Sequence, residues 1–476
     1  MVTVRLEHRT VLVRPSPMRA RRENGSSGGS RSSAGRALRN GGTILHDERL
    51  TGKEVTALAR RVADRLAGAP AAGGWENLGS GDLGIALALL HASEVLDDER
   101  YLKAGQAILR RAVEATARDP LVAAGLFTGT AGFVWVLAEF ARRDPRYGKS
   151  LRSVSDRLAE RTPGLPGRGG VALGEYDVIN GAAGQLAAVL KAAETVGAGS
   201  DGKLRDAADG LVAYLLEVTA LDADGAPNWF CPPRLYPKAA PWFHDQFPDG
   251  MYNLGFSHGL PGMLAALTLA ARAEIRRREA EERVAELADR LADWRLDEGG
   301  GPSWPGALRP APGSRLPVRT EDDAPARTAW CYGAPGVAAA LLSASAISGD
   351  TSLAVAALTR VRDTPQSERR TFAPTLCHGL AGLLAVYTRA YAQTGDPVLE
   401  EMRNDTRAQL CAMAADEHPF VFADLPEPDR PSHNPGLLEG AAGVLLALLG
   451  TVSPEASRWD EVLFLAPTAM STASTA

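Results

Sequence analysis

Cysteine is rare in this chain: the four that occur among 476 residues are Cys231, Cys331, Cys377 and Cys411. So few thiols in so long a chain exclude a disulfide framework of the kind that holds small secreted domains together. We therefore expect a protein of the reducing cytoplasm, whose thiols are free to bind a metal or to take part in catalysis.

Long uncharged apolar runs are also missing. No stretch approaches the roughly 20 residues that a membrane-spanning helix requires, so no transmembrane segment is expected. The net charge of −5 gives no basic excess, and we expect no nucleic acid partner. Hydrophobic residues make up 45% of the chain and charged residues 23%, which is ordinary for a soluble globular protein.

Basic charge is concentrated at the start of the sequence. Residues 1–45 contain nine Arg and two Glu, together with the stretch Asn24-Gly-Ser-Ser-Gly-Gly-Ser30. Such a composition lacks the apolar residues that a core needs, and it predicts a disordered basic arm. An alternative is that translation starts downstream of this segment.

Glycine, in contrast, is abundant and recurs in a pattern. A Gly-x-x-Gly step followed by an apolar run occurs seven times: Gly81–Gly84, Gly129–Gly132, Gly181–Gly184, Gly259–Gly262, Gly333–Gly336, Gly379–Gly382 and Gly440–Gly443. From one copy to the next, the first glycines lie 46 to 78 residues apart. The shortest of these steps suits a repeating unit of two helices with connecting turns.

Each unit combines two kinds of predicted helix. The run after the glycine pair is apolar nearly all round, as in Ile85–Leu90 and Val444–Leu449, which predicts a buried helix. The second helix is charged and amphipathic, as in Glu279–Arg295. Its apolar residues recur at helical spacing: Val284, Leu287, Leu291 and Trp294.

Buried inner helices and charged outer helices predict an all-α fold in two concentric layers. Seven hairpins closing on themselves over residues 46–450 would form an α/α toroid, a double-layered barrel, although an open solenoid uses the same elements. Aromatic and Pro-rich sequence over about 214–255 predicts a small insertion near the barrel mouth. Residues 451–476 are predicted to be a C-terminal tail.

Two motifs in adjacent repeats carry metal-binding chemistry. Ala329-Trp-Cys-Tyr-Gly333 and Leu376-Cys-His-Gly379 contribute Cys331, Cys377 and His378. Two thiols and one imidazole, with a fourth position left for solvent or substrate, are typical of a catalytic zinc site. An open position that accepts sulfur indicates chemistry on a thiol.

Four motifs resemble, in order, those of the lanthionine synthetase C-like family: Tyr176-Asp-Val-Ile-Asn-Gly181, Ser257-His-Gly-Leu-Pro-Gly262, Trp330-Cys-Tyr-Gly-Ala-Pro-Gly336 and Cys377-His-Gly-Leu-Ala-Gly382. The resemblance covers about residues 46–450 and agrees with the predicted helical barrel. It implies that Cys331, Cys377 and His378 bind Zn²⁺. The implied enzyme is a free-standing lanthipeptide cyclase, since the chain has no room for a fused kinase, lyase or dehydratase domain.

The implied reaction adds a Cys thiol of a precursor peptide to dehydroalanine or dehydrobutyrine. It forms a thioether ring, lanthionine or methyllanthionine. The implied partners are a dehydrated precursor peptide, a separate dehydratase and an export transporter.

Four further residues are candidates for catalysis. His258, in the Ser-His-Gly turn, is the best acid or base because imidazole titrates near neutral pH, although a core histidine is the alternative. Asp177 would orient His258 or help to remove the thiol proton, and its alternative role is a helix N-cap. Arg327 would stabilise the enolate or hold Asp177, unless it forms a surface ion pair. Tyr332 would shape the pocket beside Cys331.

Three other functions compete with the cyclase. The same residues would serve a family member that adds glutathione to dehydroamino acids. A non-catalytic peptide-binding scaffold would not need intact metal ligands. A helical-barrel glycosidase would need two carboxylates facing a cleft, and no such pair is evident beside the glycine turns. Cys231 and Cys411 lack ligand spacing and are predicted to be structural, and Glu439 has no motif that makes it catalytic.

Overall fold

Helices dominate the part of the chain that the structure describes. The structure is a computed structural model, and it describes residues 51–70, 76–118, 121–161, 163–164, 169–196, 202–297, 300–427, 430–453 and 458–465. The predicted basic arm, residues 1–45, lies outside these ranges.

The described residues form seventeen α-helices: α1 Gly52–Ala67, α2 Asp82–Val95, α3 Glu99–Arg118, α4 Thr130–Arg143, α5 Gly148–Ala159, α6 Leu173–Tyr176, α7 Ala182–Val196, α8 Gly202–Thr219, α9 Trp242–Gln246, α10 Leu260–Arg272, α11 Arg277–Asp293, α12 Gly333–Ser348, α13 Ser352–Asp363, α14 Gln366–Arg369, α15 Leu380–Thr394, α16 Pro397–Ala412 and α17 Ala441–Val452. They also form five short strands: β1 Tyr252–Asn253, β2 Ala307–Pro310, β3 Pro317–Val318, β4 Asp424–Glu427 and β5 Arg430–Ser432.

Seven helices begin at the glycine pairs and form an inner layer: α2, α4, α7, α10, α12, α15 and α17. They are buried along most of their length, and α17 buries ten of its twelve residues. Seven amphipathic helices surround them: α1, α3, α5, α8, α11, α13 and α16. In α11 the buried residues include Val284, Leu287 and Leu291, as the helical spacing predicted. The hydrophobic core therefore consists of the inner helices and the inward faces of the outer helices.

The ring closes between the first and last repeats. Each inner helix packs against its neighbours in chain order, and α17 packs against α2. The outer partner of α17 is α1, from the start of the described chain, whereas every other outer helix follows its inner partner. The fold is thus the predicted α/α toroid of seven hairpins and not an open solenoid.

A belt of seven backbone hydrogen bonds joins the turns at which the inner helices begin. The donors lie two residues before each glycine pair, except that Val178 replaces Ile179 as donor. From N–H to carbonyl the bonds run Gly79 to Phe127 (2.9 Å), Phe127 to Ile179 (3.0 Å), Val178 to Ser257 (3.1 Å), Ser257 to Cys331 (3.3 Å), Cys331 to Cys377 (3.2 Å), Cys377 to Leu438 (2.8 Å) and Leu438 to Gly79 (2.8 Å). The belt holds equivalent residues of neighbouring repeats side by side.

Steric crowding explains why the second residue of each pair is glycine. A Cβ on Gly132 would lie 2.5 Å from the carbonyl oxygen of Leu126 and 3.0 Å from the Cβ of Leu78 in the preceding repeat. Equivalent neighbours, a carbonyl six residues earlier and a side chain of the preceding repeat, surround the second glycine in all seven copies. Only glycine lets the turns approach this closely, which explains the recurrence of the pair.

The strands lie outside the helical layers. β1, β2 and β3 form an antiparallel sheet in that order, and β4 pairs with β5 in a hairpin between α16 and α17. In the predicted insertion of about 214–255, α8 continues to Thr219, and the chain then runs through a short 3₁₀ turn, α9 and β1. β1 leads directly into the Ser257-His258 turn, so this part of the chain adjoins the end of the toroid where the inner helices begin.

Residues 458–465, within the segment predicted as a C-terminal tail, are packed into the core. The guanidinium of Arg389 donates to the buried carboxylate of Asp460, with N–O distances of 2.6 and 2.9 Å. The indole Nε1 of Trp330 donates to the carbonyl oxygen of Leu463 at 3.2 Å. This segment therefore supports the side chain that directly precedes Cys331.

In the described part of the chain, no helix combines the length and the apolarity needed to cross a bilayer.

Candidate functional site

Polar side chains gather at one end of the toroid, which we call the turn end. One residue before each glycine pair, the side chain is polar in every copy: Ser80, Thr128, Asn180, His258, Tyr332, His378 and Glu439. Because the backbone belt joins the turns, these seven positions lie at the same end of the toroid. The hydroxyl of Thr128 donates to the amide oxygen of Asn180 at 2.8 Å.

Cys331 and Cys377 form a buried thiol pair at the turn end. Their backbones are joined by the 3.2 Å belt hydrogen bond, and their thiols are hydrogen bonded to each other. The bond from Cys377 lowers the pKa of the Cys331 thiol against the effect of burial, and the charges of Arg327 and His258 lower it further. The same bond and burial raise the pKa of the Cys377 thiol. The two thiols therefore influence each other's ionisation.

His378 directly follows Cys377 and is buried. Burial, and then the charge of Arg327, lower the pKa of His378 to about 3, so the imidazole is neutral at physiological pH. Its Nδ1 is a buried atom without a hydrogen-bond partner among the described residues. Its Nε2 lies 4.0 Å from Oδ1 of Asp424. A neutral imidazole with an unpaired ring nitrogen is the form that binds metals.

The donor set matches a soft metal ion in chemistry. Two thiols and a neutral imidazole suit zinc, and the unpartnered Nδ1 of His378 is an atom that a metal would satisfy. Within the described residues, however, no three His, Cys, Asp or Glu side chains already stand together as a metal-binding group. Binding a metal here would therefore draw at least one of the three donors toward the others.

His258 and Asp177 form a buried hydrogen-bonded pair beside the thiols. Nδ1 of His258 lies 2.6 Å from Oδ2 of Asp177. The other carboxylate oxygen, Oδ1, accepts hydrogen bonds from the backbone N–H groups of Asn180 (2.6 Å) and Gly181 (2.9 Å). Asp177 therefore does both things proposed from the sequence, since one oxygen caps a turn and the other orients the imidazole. His258 is close enough to Cys331 for its charge to lower the pKa of that thiol.

Arg327 places its positive charge among the predicted ligands. It lowers the pKa of Cys331 and that of His378. Its Nη2 donates to the carbonyl oxygen of Arg370 at 3.3 Å, whereas its buried Nε and Nη1 have no hydrogen-bond partner among the described residues. Arg327 thus contacts a backbone carbonyl and has two donors available, and it forms no ion pair with the residues that the structure describes.

Tyr332 is held by the first strand. Its hydroxyl accepts a hydrogen bond from Nδ2 of Asn253 at 2.9 Å, and Oδ1 of Asn253 accepts from the N–H of Gly255 at 2.8 Å. Burial raises the pKa of Tyr332, and the neighbouring Cys331 adds to this effect. The phenol is therefore protonated at physiological pH, and its ring lies against the backbone at Gly255 and Gly306.

Two carboxylic acids at the turn end were missed. Burial raises the pKa of Asp424 to about 6 and that of Glu439 to about 7, and the charge of Asp424 contributes to the shift of Glu439. The two carboxyl groups are therefore close enough for their charges to interact, although no sequence motif beside the glycine turns pairs them. Glu439 could have been found from the repeat, because it occupies the position of His258 and His378. Asp424 has no such signal, since it reaches the site from the β4–β5 hairpin.

The remaining cysteines differ from the thiol pair. Burial raises the pKa of Cys231 to about 12 and that of Cys411 to about 11, so both stay protonated. Thiols that stay protonated are inert, as is typical of structural cysteines. All seven predicted site residues, in contrast, lie at the turn end.

The chain is similar to a known family and to several solved structures. The family model described as "Lanthionine synthetase C-like protein" matches residues 76–464. Among solved structures, nisin cyclase is similar at 18% identity and a TM-score of 0.67, over 87% of this chain and 97% of that chain. This likeness concerns the fold. A cellobiose 2-epimerase from Bacillus thermoamylovorans matches at 11% identity and a TM-score of 0.39, over 85% of this chain and 100% of that chain. No curated protein matches the chain. Because the family model spans most of the sequence, the chain belongs to the lanthionine synthetase C-like family.

Proposed function

We propose that this protein is a zinc-dependent lanthipeptide cyclase. It adds Cys thiols of a dehydrated precursor peptide to dehydroalanine or dehydrobutyrine and forms thioether rings. The observation that carries this proposal is the thiol pair of Cys331 and Cys377, which lies next to His378 and the His258–Asp177 pair. The family to which the chain belongs supports the same interpretation. A soft donor set beside a proton-transfer group is what thiol addition requires.

The first chemical need is a thiolate. A free thiol has a pKa of about 8.5, so only a few per cent is ionised at pH 7. Zinc held by Cys331, Cys377 and His378 would lower the pKa of the substrate thiol and keep its sulfur nucleophilic. Two features of the site suit this role. Burial and the charge of Arg327 keep His378 neutral, and the pKa of the Cys331 thiol is lowered.

The second need is proton transfer. When the substrate sulfur bonds to the β-carbon, the carbon–carbon double bond becomes an enolate, and the α-carbon must then receive a proton. We assign this proton to His258. Asp177 holds its Nδ1 at 2.6 Å and so directs the other ring nitrogen toward exchange with substrate. The thiol loses one proton and the α-carbon gains one, so the peptide mass does not change.

Arg327 and Tyr332 would stabilise the developing charge. The enolate oxygen needs hydrogen-bond donors in a site that excludes water. Two nitrogens of Arg327 are buried and have no hydrogen-bond partner in the described part of the chain, and the Tyr332 hydroxyl is protonated. The substrate of such a reaction must be made by an enzyme that dehydrates Ser and Thr. We therefore infer a separate dehydratase as a partner, with an export transporter for the product and a cytoplasmic location where thiols stay reduced.

A dehydrated peptide that contains Cys tests this function. Incubated with the wild-type protein, it should lose one titratable thiol for each ring while its mass stays constant. Thiol titration with a maleimide and mass spectrometry of the same sample give both numbers. The control is the same peptide with its Cys replaced by Ser, which should not change.

Two outcomes would contradict the cyclase. Thiols that remain fully titratable after prolonged incubation would show that no ring forms. A peptide that gains the mass of glutathione, when glutathione is supplied, while its own thiols remain titratable would assign the site to the competing glutathione-adding reaction.

A further inference from the structure

Asp424 approaches His378 from a distant part of the sequence. It begins β4, and the residue is 6% exposed. Its Oδ1 accepts a hydrogen bond from the hydroxyl of Thr375 at 3.3 Å, and the same oxygen lies 4.0 Å from Nε2 of His378. Thr375 precedes Cys377 by two residues, so the turn that carries two predicted ligands also fixes the carboxylate.

The two ring nitrogens of His378 have different surroundings. Nε2 faces the carboxylate of Asp424, whereas the buried Nδ1 has no partner among the described residues. A neutral imidazole has one N–H donor and one lone pair. A carboxylate on the Nε2 side favours the proton on Nε2, which leaves the lone pair on Nδ1.

Chain geometry favours the same nitrogen. Cys377 and His378 are adjacent, and both are predicted to bind one ion. Nδ1 is the ring nitrogen closer to the backbone, so it reaches an ion beside the preceding residue more easily than Nε2 does. Ligating histidines commonly donate their other ring N–H to a carboxylate, which fixes the tautomer and raises the basicity of the ligand.

We propose that Asp424 is a positioning residue for the metal site, which holds Nε2–H of His378 and presents Nδ1 as the zinc ligand. The proposal rests on the proposed zinc dependence of the enzyme and deepens it. It also assigns a role to the β4–β5 hairpin, which delivers one carboxylate to the ligand turn. Asp424 does not touch the substrate in this account.

Zinc affinity measures this role without any need for turnover. We expect Asp424→Ala to weaken zinc binding by about 10- to 100-fold, the usual effect of losing such a partner. Asp424→Asn should weaken it less, because the amide oxygen still accepts from Nε2–H but carries no charge. The measurement is competition for zinc against a chromophoric chelator at constant pH, with thermal unfolding of each apo-protein as a check on folding.

Asp323 offers a matched control. It is similarly buried, at 7% exposure, and accepts a hydrogen bond from Arg309 at 3.0 Å near the β1–β3 sheet. Asp323→Asn and Asp323→Ala should leave zinc affinity within about twofold of wild type. A cobalt-substituted sample adds a second readout, because loss of the orienting carboxylate should change the visible ligand-field bands in the Asp424 variants and not in the Asp323 variants.

The results separate this inference from the function on which it rests. If wild-type protein binds zinc and both Asp424 variants bind it equally well with unchanged cobalt bands, Asp424 has no positioning role. If wild-type protein binds no zinc, both this role and the metal site are wrong. Tight zinc binding without thiol consumption would overturn the cyclase proposal and leave the role of Asp424 intact.

Discussion

Replacing Cys377 by alanine is expected to remove zinc from the protein and to abolish thioether formation. The variant loses one of two thiols and also the hydrogen bond that lowers the pKa of Cys331. Without the metal, the substrate thiol returns to its ordinary pKa. A metal contributes several kcal/mol to such a step, so the rate should fall by roughly three orders of magnitude or more.

The measurements are metal content by elemental analysis and ring formation by thiol loss. Cys411→Ala is the matched control, because this thiol has a raised pKa and lies outside the turn end. It should retain zinc and full activity. Full zinc retention by Cys377→Ala would contradict the ligand set, and full activity in a zinc-free variant would contradict metal-assisted addition.

The His258→Ala variant is expected to keep its zinc while cyclising slowly. His258 is buried beside Cys331, but it belongs to the proton-transfer pair and not to the ligand set. Loss of a general acid or base usually costs about 10²- to 10⁴-fold in rate. The loss should appear in kcat for ring formation, with little change in KM for the peptide.

The Asp177→Asn variant is expected to slow cyclisation less than His258→Ala does. An asparagine can still cap the turn through its oxygen, as Oδ1 of Asp177 does for Asn180 and Gly181. It cannot hold His258 with a negative charge. We expect normal folding, normal zinc content and a rate between those of wild type and His258→Ala. Unchanged rates in both variants would remove this pair from the mechanism.

The toroid was predictable because its determinants are local. A glycine that must admit a carbonyl six residues earlier recurs at the same place in each hairpin, as at Gly132 and Gly84. The thiol pair was predictable for the same reason, since Cys331 and Cys377 occupy equivalent positions in adjacent repeats and the backbone belt places them together.

Contacts between distant segments were not predictable from these patterns. No local signal states that α1 pairs with α17, because any amphipathic helix can cover an apolar one. The Arg389–Asp460 ion pair packs part of the predicted tail into the core. Asp424 reaches His378 from a hairpin outside the glycine repeat. In each case the partner lies far away in sequence and follows no period.

X-ray absorption at the zinc edge tests the central claim most directly, because it counts the sulfur atoms around the metal. We predict two sulfurs at about 2.3 Å and lighter N or O neighbours at about 2.0–2.1 Å in the purified protein. Adding a Cys-containing dehydrated peptide should raise the count to three sulfurs. A shell without sulfur, or a count that stays at two with peptide bound, would contradict thiol activation at this site.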